Sequence, residues 1–478
     1  MSYDAVVVGS GPNGLAAAIT LAREGLSVIV IEAEPTIGGG CRSAELTLPG
    51  FVHDVCSAIH PLAAASPFFQ TLPLERYGVQ WVHPSAPLAH PLDDGSAAVL
   101  ERSLTATGES LGDDARAWRK LFGPLLRSDK LIPQLLSPMT AGRVLPPPPV
   151  DALPALTYFA LKGLGSAEGL SRASFEGDRA RALFAGMAAH ALLPLRQRLT
   201  AGFGLTLGLL AHAFGWPFPQ GGSQAIVSAL SAHLKELGGE IVVGQRVRAM
   251  GDLPPARATL FDLTPRQINA IAGDRLPARF RRTYARFRYG PGVFKVDWAL
   301  DGPIPWKAEE CTRAATVHLG GTLDEMTSSE DAVGRGRHSD RPYVLVAQQS
   351  LFDPTRAPEG KQTVWAYCHV PGGSTVDMTA AIESQIERFA PGFCDRILGR
   401  ASMGTQDMER HNSNYIGGDI NGGVQDLSQM FRRPSARWVP YSTPAKDIFV
   451  CSSSTPPGGG VHGMSGYHAA RAALRRAF

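Results

Sequence analysis

Three observations predict an α/β fold for this 478-residue chain. A strand, glycine turn, helix and second strand run from Tyr3 to Glu32. A strand, a glycine-rich turn and a helix occupy the stretch from Ile448 onward. Between them lie alternating strand patterns and apolar helical runs. The pattern puts a substrate-type α+β region, of mixed or antiparallel sheet plus helices, inside a mostly parallel sheet flanked by helices.

The run Ala5 to Val8 is unbroken and β-branched, as in a strand buried on both faces. Gly9, Gly11 and Gly14 follow at G-x-G-x-x-G spacing. Gly9 suits the tight turn, Gly11 lets backbone N–H groups approach a pyrophosphate, and Gly14 lets the helix that starts at Pro12 pack on the strand. That helix is expected to reach Glu24 and end at Gly25. A strand from Ser27 to Ile31 then delivers Glu32 to where a carboxylate accepts ribose hydroxyls. Strand, turn, helix and acid together make a Rossmann-like dinucleotide site.

Short strands at Ser43 to Leu46 and Phe51 to Asp54 bring His53, Asp54 and His60 near this loop. Each is a candidate proton donor or a hydrogen-bonded residue beneath the loop. Residues 79 to 101 alternate as antiparallel strands, with Asp93-Asp94-Gly95 as a hairpin turn. A helix is expected from Asp113 to about Leu136, a stiff break at Pro146 to Pro149, and another helix from Asp178 to Leu195. Leu199 to Phe218 is the most apolar run; its glycines and His212 argue against a membrane span. It reads as a buried helix lining a substrate cavity, with a membrane-surface patch as the alternative.

Pro219 to Gly222 reads as a turn, Ser223 as the cap of a helix to Leu237, and Gly238-Gly239 as its stop. Strands are expected at Glu240 to Val243, Arg246 to Met250 and Thr259 to Leu263, and a helix at Arg266 to Ala272. The arginines between Arg275 and Arg288 make a solvated helix face, or alternatively attract anionic lipid. Phe294 to Leu300, Thr316 to Leu319, Tyr343 to Ala347 and Thr363 to His369 extend the second sheet. Thr322 to Arg341 reads as a mobile loop, and Asp377 to Phe389 as an amphipathic helix. Residues 411 to 423 form an Asn- and Gly-rich loop. Gly458, Gly460 and Gly463 repeat the glycine spacing, but too few residues follow for a second βαβ unit. The helix from Met464 to Ala477 therefore aims its N-terminus at a bound cofactor instead of building an NAD(P)H domain.

The composition is that of a globular protein, 44% hydrophobic and 19% charged. A net charge of +3, with no aromatic residues interleaved among the basic clusters, excludes nucleic acid as the expected partner. The cysteines, without a CxxC pair, suit a reducing cytoplasm and give no metal site. A first strand at Tyr3 leaves no room for a leader.

GSGPNG at 9 to 14, Glu32, GGGCRS at 38 to 43, PQGGS at 219 to 223, NYIGGDINGG at 414 to 423 and SSSTPPGGGVHGM at 452 to 464 resemble the phytoene-desaturase-like FAD oxidoreductases. The nearest likeness is to the phytoene dehydrogenase-related and pyridine nucleotide-disulfide oxidoreductase domain branch. The resemblance implies a Rossmann-like FAD-binding domain of the amine oxidase and phytoene desaturase superfamily, in segments 1–75, 216–290 and 436–478. A substrate domain fills 76–215 and 291–435. FAD is the implied cofactor. Its implied contacts are Gly9, Gly11, Pro12, Asn13, Gly14, Glu32, Ala33, Gly39, Gly40, Arg42, Val247, Gly459, Gly460, Val461, Gly463 and Met464. The family's Gly-Gly-Arg triplet is interrupted here by Cys41. His462 is the candidate for donating a hydrogen bond or proton to the flavin ring or substrate.

The implied reaction moves hydride between flavin N5 and carbon of an apolar polyene or lipid-like molecule, by desaturation, saturation or isomerisation. One alternative is a flavin amine oxidase, with Tyr415, Tyr441 and Tyr467 available for an aromatic cage. Another is a non-catalytic lipid-binding or escort protein. An apolar small molecule is the expected partner, and peripheral membrane contact and a homo-oligomer stay open.

Overall fold

The computed structural model describes residues 2–137 and 147–478 in full, and the backbone of 139, 140, 143 and 144. Pro146, where the proline break was expected to start, lies outside the described residues; Pro147 to Pro149 have no regular structure.

A five-stranded parallel sheet holds the glycine turn. Its order is Glu240–Val242, Val28–Ile31, Tyr3–Val8, Ala256–Phe261 and Ile448–Val450. The strands thus come from three separate parts of the chain. Tyr3–Val8 sits at the centre because Ala5 to Val8 bury on both faces. The helix Pro12–Ala22 covers one face through an almost wholly buried run of alanines, with Pro12 in its first turn. The helix Met464–Ala477 packs against it at a glycine: a Cβ on Gly466 would lie 1.8 Å from the Asn13 carbonyl oxygen.

A seven-stranded sheet forms the second layer system, in the order Ile397–Met403, Gly292–Leu300, Gln362–Val370, Val344–Ala347, Thr316–Leu319, Leu88–Pro91 and Ala97–Leu100. Each neighbouring pair is antiparallel except Thr316–Leu319 with Leu88–Pro91. The hairpin at Asp93 to Gly95 falls where the sequence placed it. One sheet face, carrying Val296, Trp298, Val317, Val346 and Val364, packs on the helix Thr379–Phe389. The other face carries Thr316, Leu345, Trp365 and Tyr367, and it looks into a cavity.

The apolar run after Leu199 forms the helix Thr200–Phe214. Its glycines serve close packing: a Cβ on Gly208 would come within 2.5 Å of Phe122, and one on Gly204 within 2.8 Å of Phe184. His212 is satisfied inside the fold, accepting from Trp118 Nε1 at 3.0 Å and meeting the Arg102 carbonyl at 3.1 Å. Among the described residues no helix is long and apolar enough to cross a membrane.

Several expectations need correction. Thr322 to Arg341 is largely the helix Leu323–Gly334, not a loop; Thr322 caps it by accepting from the Glu325 N–H, and its Glu330 is buried against His369. Those polar residues suggested solvent because their partners lie elsewhere in the sequence. Arg246 to Met250 is not a strand, because the chain there follows the cavity rim instead of the sheet. Ser223 precedes the helix Gln224–Glu236, but its side chain does not cap it. The hydroxyl instead donates to the Ser57 carbonyl at 2.6 Å and meets His60 Nε2 at 2.7 Å. The helix Asp178–Ala189 stops short of Leu195, and the expected helix from Asp113 is broken between Leu126 and Leu131. The edge strand Ile397–Met403 and the helices Leu104–Leu111, Leu153–Gly163 and Ala167–Ser174 were not foreseen.

The arginine-rich stretch forms the helix Ala278–Ala285, which buries Phe280 and Tyr284. Arg275 pairs with Asp447 and Arg288 with Asp426 at its two ends.

Candidate dinucleotide and substrate cavity

A cavity of about 620 Å³ runs from the glycine turn at the carboxyl ends of the parallel strands to the open face of the second sheet. Its position matches the rule that ligands bind outside the carboxyl ends of strands in open α/β sheets.

At the first end the turn is bare backbone. Gly9 has φ +105°, and a Cβ there would meet the Asp262 Cβ at 3.1 Å. A Cβ on Gly11 would lie 2.7 Å from Asp262 Oδ2, and one on Gly39 3.2 Å from the Gly11 Cα. Two glycine segments therefore touch, leaving backbone N–H groups at the start of the helix Pro12–Ala22 for an anion. Pro12 and Asn13 belong to the wall, and Asn13 Oδ1 is buried without a partner. Glu32 is held in place by the Ser10 N–H at 2.9 Å, the Ser10 hydroxyl at 2.6 Å and the Glu34 N–H at 2.9 Å. Ala33, Gly40, Val247, Gly460 and Val461 also line the cavity. This set fits a dinucleotide.

Other expected contacts stand behind the wall. Gly14 lets the helix close on the turn: a Cβ there would be 2.1 Å from the Gly9 carbonyl oxygen. Gly459 packs on Asn421, Gly463 has φ +67° against Phe69, and Met464 opens the last helix. Arg42 borders the cavity, but its guanidinium is spent on the Thr36 carbonyl at 3.1 Å, the His411 carbonyl at 3.0 Å and Glu32 at 3.4 Å. It orders the loop and is not left free to clasp a phosphate.

His462 requires a correction. It is buried behind Gly460 and Val461, outside the wall. Its Nδ1 accepts the Met464 N–H at 3.0 Å, so Nε2 carries the proton and donates to the Gly458 carbonyl at 3.2 Å. Burial pushes its pKa down to about 4. Both ring nitrogens hold the turn, and neither is free to serve a reaction.

His60, by contrast, reaches the cavity. The Ser223 hydroxyl donates to Ser57, so His60 Nε2–H donates to Ser223, and His60 Nδ1 remains an unpartnered acceptor. Burial lowers its pKa to about 4. His53 and Asp54 belong to a buried network instead: Asp54 takes the Ser43 hydroxyl and the Ser223 N–H, both at 2.7 Å, and pairs with Arg356. His53 lies 3.3 Å from Asp297, which Lys295 holds at 2.5 Å.

Asp262 escaped sequence reasoning. It follows the strand Ala256–Phe261, accepts the Gly14 N–H at 3.0 Å and forms part of the cavity wall. Burial, with the Glu32 charge adding to it, pushes its carboxyl up to about 7. Its place one residue after the parallel strand Ala256–Phe261, the fourth along the chain, was the available signal.

The second end is apolar, formed by Leu207, Trp216, Leu345, Trp365 and Tyr367. The Trp365 and Tyr367 rings stack at 5.6 Å and 15°. Leu207 and Trp216 come from the apolar segment after Leu199, so that segment does border the cavity. The acidic wall residues Glu32, Glu34 and Asp262 all lie at the opposite end. Of the tyrosines considered for an aromatic cage, only Tyr415 reaches the wall. Tyr441 donates to the Pro456 carbonyl, and Tyr467 packs on Phe68.

Residues 7–72 match the family described as NAD(P)-binding Rossmann-like domain. Over 563 residues, covering 99% of this chain and 93% of the relative, the sequence is 27% identical to pyridine nucleotide-disulfide oxidoreductase domain-containing protein 2 of Rattus norvegicus. It is 25% identical to the phytoene dehydrogenase of Streptomyces griseus over 394 residues, 77% of this chain and 72% of that one. The solved structure of cyclohexylamine oxidase from Brevibacterium oxydans superposes with a TM-score of 0.60 at 15% identity, covering 99% of this chain and 98% of that one. This last likeness is one of fold.

Proposed function

We propose that this chain is a phytoene-desaturase-like flavin oxidoreductase, which binds FAD and oxidises or reduces carbon in an apolar substrate. The observation that carries the proposal is the single cavity joining a bare glycine turn and a fixed Glu32 to an apolar sheet face.

When bound, FAD supplies a two-electron hydride acceptor or donor. The chain's own residues do the rest. Backbone N–H groups of the turn from Gly9, at the start of a helix, hold the pyrophosphate. Glu32 accepts from the adenosine ribose. Gly39, Gly40, Gly460 and Val461 allow close approach along the cofactor's length, and Val247 packs at its adenine end. Leu207, Trp216, Leu345 and Trp365 seat the substrate and exclude water, so that a C–H bond or alkene is held against the reacting edge.

The test is the visible spectrum of the purified protein, followed by denaturation and chromatography of the released pigment. Release of free FAD supports the proposal. Anaerobic bleaching or reoxidation of that flavin by apolar polyenes or lipids, and not by amines, supports the substrate class. A colourless protein that cannot be reconstituted with FAD refutes it and points to lipid binding without redox turnover.

A further inference from the structure

The apolar end of the cavity is not uniformly apolar. Thr316 Oγ1 and Trp365 Nε1 both belong to wall residues that are more than nine-tenths buried, and neither atom has a hydrogen-bond partner. Buried hydroxyl and indole N–H groups are normally satisfied, because an orphan has given up its bonds to water and gained none in return. Two such orphans on one wall mark a place where a ligand supplies the missing bonds.

The sheet register places them together. Thr316 pairs with Ala347, and Ala347 pairs with Trp365. The three side chains therefore share one face, with only a methyl group between the hydroxyl and the indole. Adjacent strands lie about 4.8 Å apart, so the two backbone positions are roughly 10 Å apart, a gap that the indole narrows.

The chemistry of this corner selects the group it takes. Trp365 Nε1 can only donate, and Thr316 can donate or accept, so an oxygen acceptor satisfies both. Neither carries charge. The nearby cation, Lys295, lies 5.5 Å from the Trp365 ring and is neutralised by Asp297 at 2.5 Å. A carboxylate there would lack a free counter-ion and an ammonium a free acid, because Asp297, opposite Trp365 in the sheet, and Lys295 are spent on each other and the acidic wall residues are at the dinucleotide end. A pure hydrocarbon would leave both atoms unpaired.

We propose that the substrate is an apolar molecule bearing one uncharged oxygen function, a hydroxyl or carbonyl, bound by Thr316 and Trp365. This rests on the reading of the cavity as a flavin enzyme's substrate site.

The test uses the purified holoprotein and five probes of equal chain length: 1-octanol, 2-octanone, octane, octylamine and octanoate. Binding is followed by tryptophan fluorescence and by calorimetry. The alcohol and ketone should bind more tightly than the other three. Thr316→Val should weaken the alcohol and ketone about tenfold and leave octane unchanged. Thr316→Ser, which keeps the hydroxyl, should restore them, and Trp365→Phe should reproduce the loss for both oxygenated probes. Equal binding of octane and octanol, tightest binding of octylamine or octanoate, no binding by any probe, or indifference to Thr316→Val would each overturn the proposal. FAD content, measured on the same samples, separates the two failures. Bound FAD with no preference for oxygen removes only this inference, whereas absence of FAD removes the enzyme reading beneath it.

Discussion

Asp262→Asn should make the protein more stable, and increasingly so as pH rises. The Asp262 carboxyl is buried against the glycine turn, where it accepts the Gly14 N–H, and its pKa rises from 3.8 to about 7. Between those values the folded state holds a proton that the unfolded chain has released. Folding stability therefore falls as pH climbs through this window, and the loss is complete above about pH 7. That rise corresponds to roughly 4 kcal/mol, of which about 1–2 is already lost near pH 5. Asn keeps an acceptor oxygen for Gly14 and removes the ionisation. The variant's advantage over wild type should grow by about 2–3 kcal/mol between about pH 5 and pH 8.5. Urea unfolding of both apoproteins, followed by tryptophan fluorescence at the two pH values, measures this. An offset that is the same at both would show that Asp262 is already ionised at about pH 5, and the burial reasoning would fail.

Three further outcomes are expected. Gly11→Ala leaves the backbone undistorted, since Gly11 already has φ −65°, but puts a Cβ 2.7 Å from Asp262 Oδ2. The folded variant should bind FAD roughly tenfold or more weakly, and full flavin occupancy would disprove the turn's role. Leu207→Arg should abolish binding of apolar probes while FAD content is kept; loss of liposome association with probe binding intact would instead make the segment a membrane patch. Gly466→Ala forces a Cβ to 1.8 Å from the Asn13 carbonyl oxygen, so the two helices must separate. Its stability should fall by about 3 kcal/mol in urea unfolding, and a loss under about 1 kcal/mol would contradict the packing.

The glycine turn, Glu32 and the last helix were legible because local spacing dictates them: each needs only a few neighbouring residues to be recognisable. The strands Thr316–Leu319 and Gln362–Val370 were legible for the same reason, from β-branched and aromatic runs. What stayed hidden depends on partners far along the chain. Glu330 reads as a solvated acid until His369 appears beside it, 39 residues later. His462 reads as a candidate donor until the Gly458 carbonyl and the Met464 N–H occupy its ring. Arg42 looks like a phosphate ligand until the carbonyl of His411, 369 residues away, takes one of its nitrogens. Asp262 carries no motif at all and acquires meaning only from the strand that ends beside the turn.

The threading of the parallel sheet sets an order of events during synthesis. Tyr3–Val8 emerges first, yet one of its neighbours, Ala256–Phe261, is made some 250 residues later, and Ile448–Val450 joins that strand later still. Until then an apolar strand meant for the middle of a sheet has an open edge, the kind of surface that invites wrong pairing. Gly460 and Val461, which complete the cavity wall, arrive after all five strands have been made. A nucleotide therefore cannot be enclosed until residues from all three parts of the chain have been made, however early the glycine turn itself takes shape.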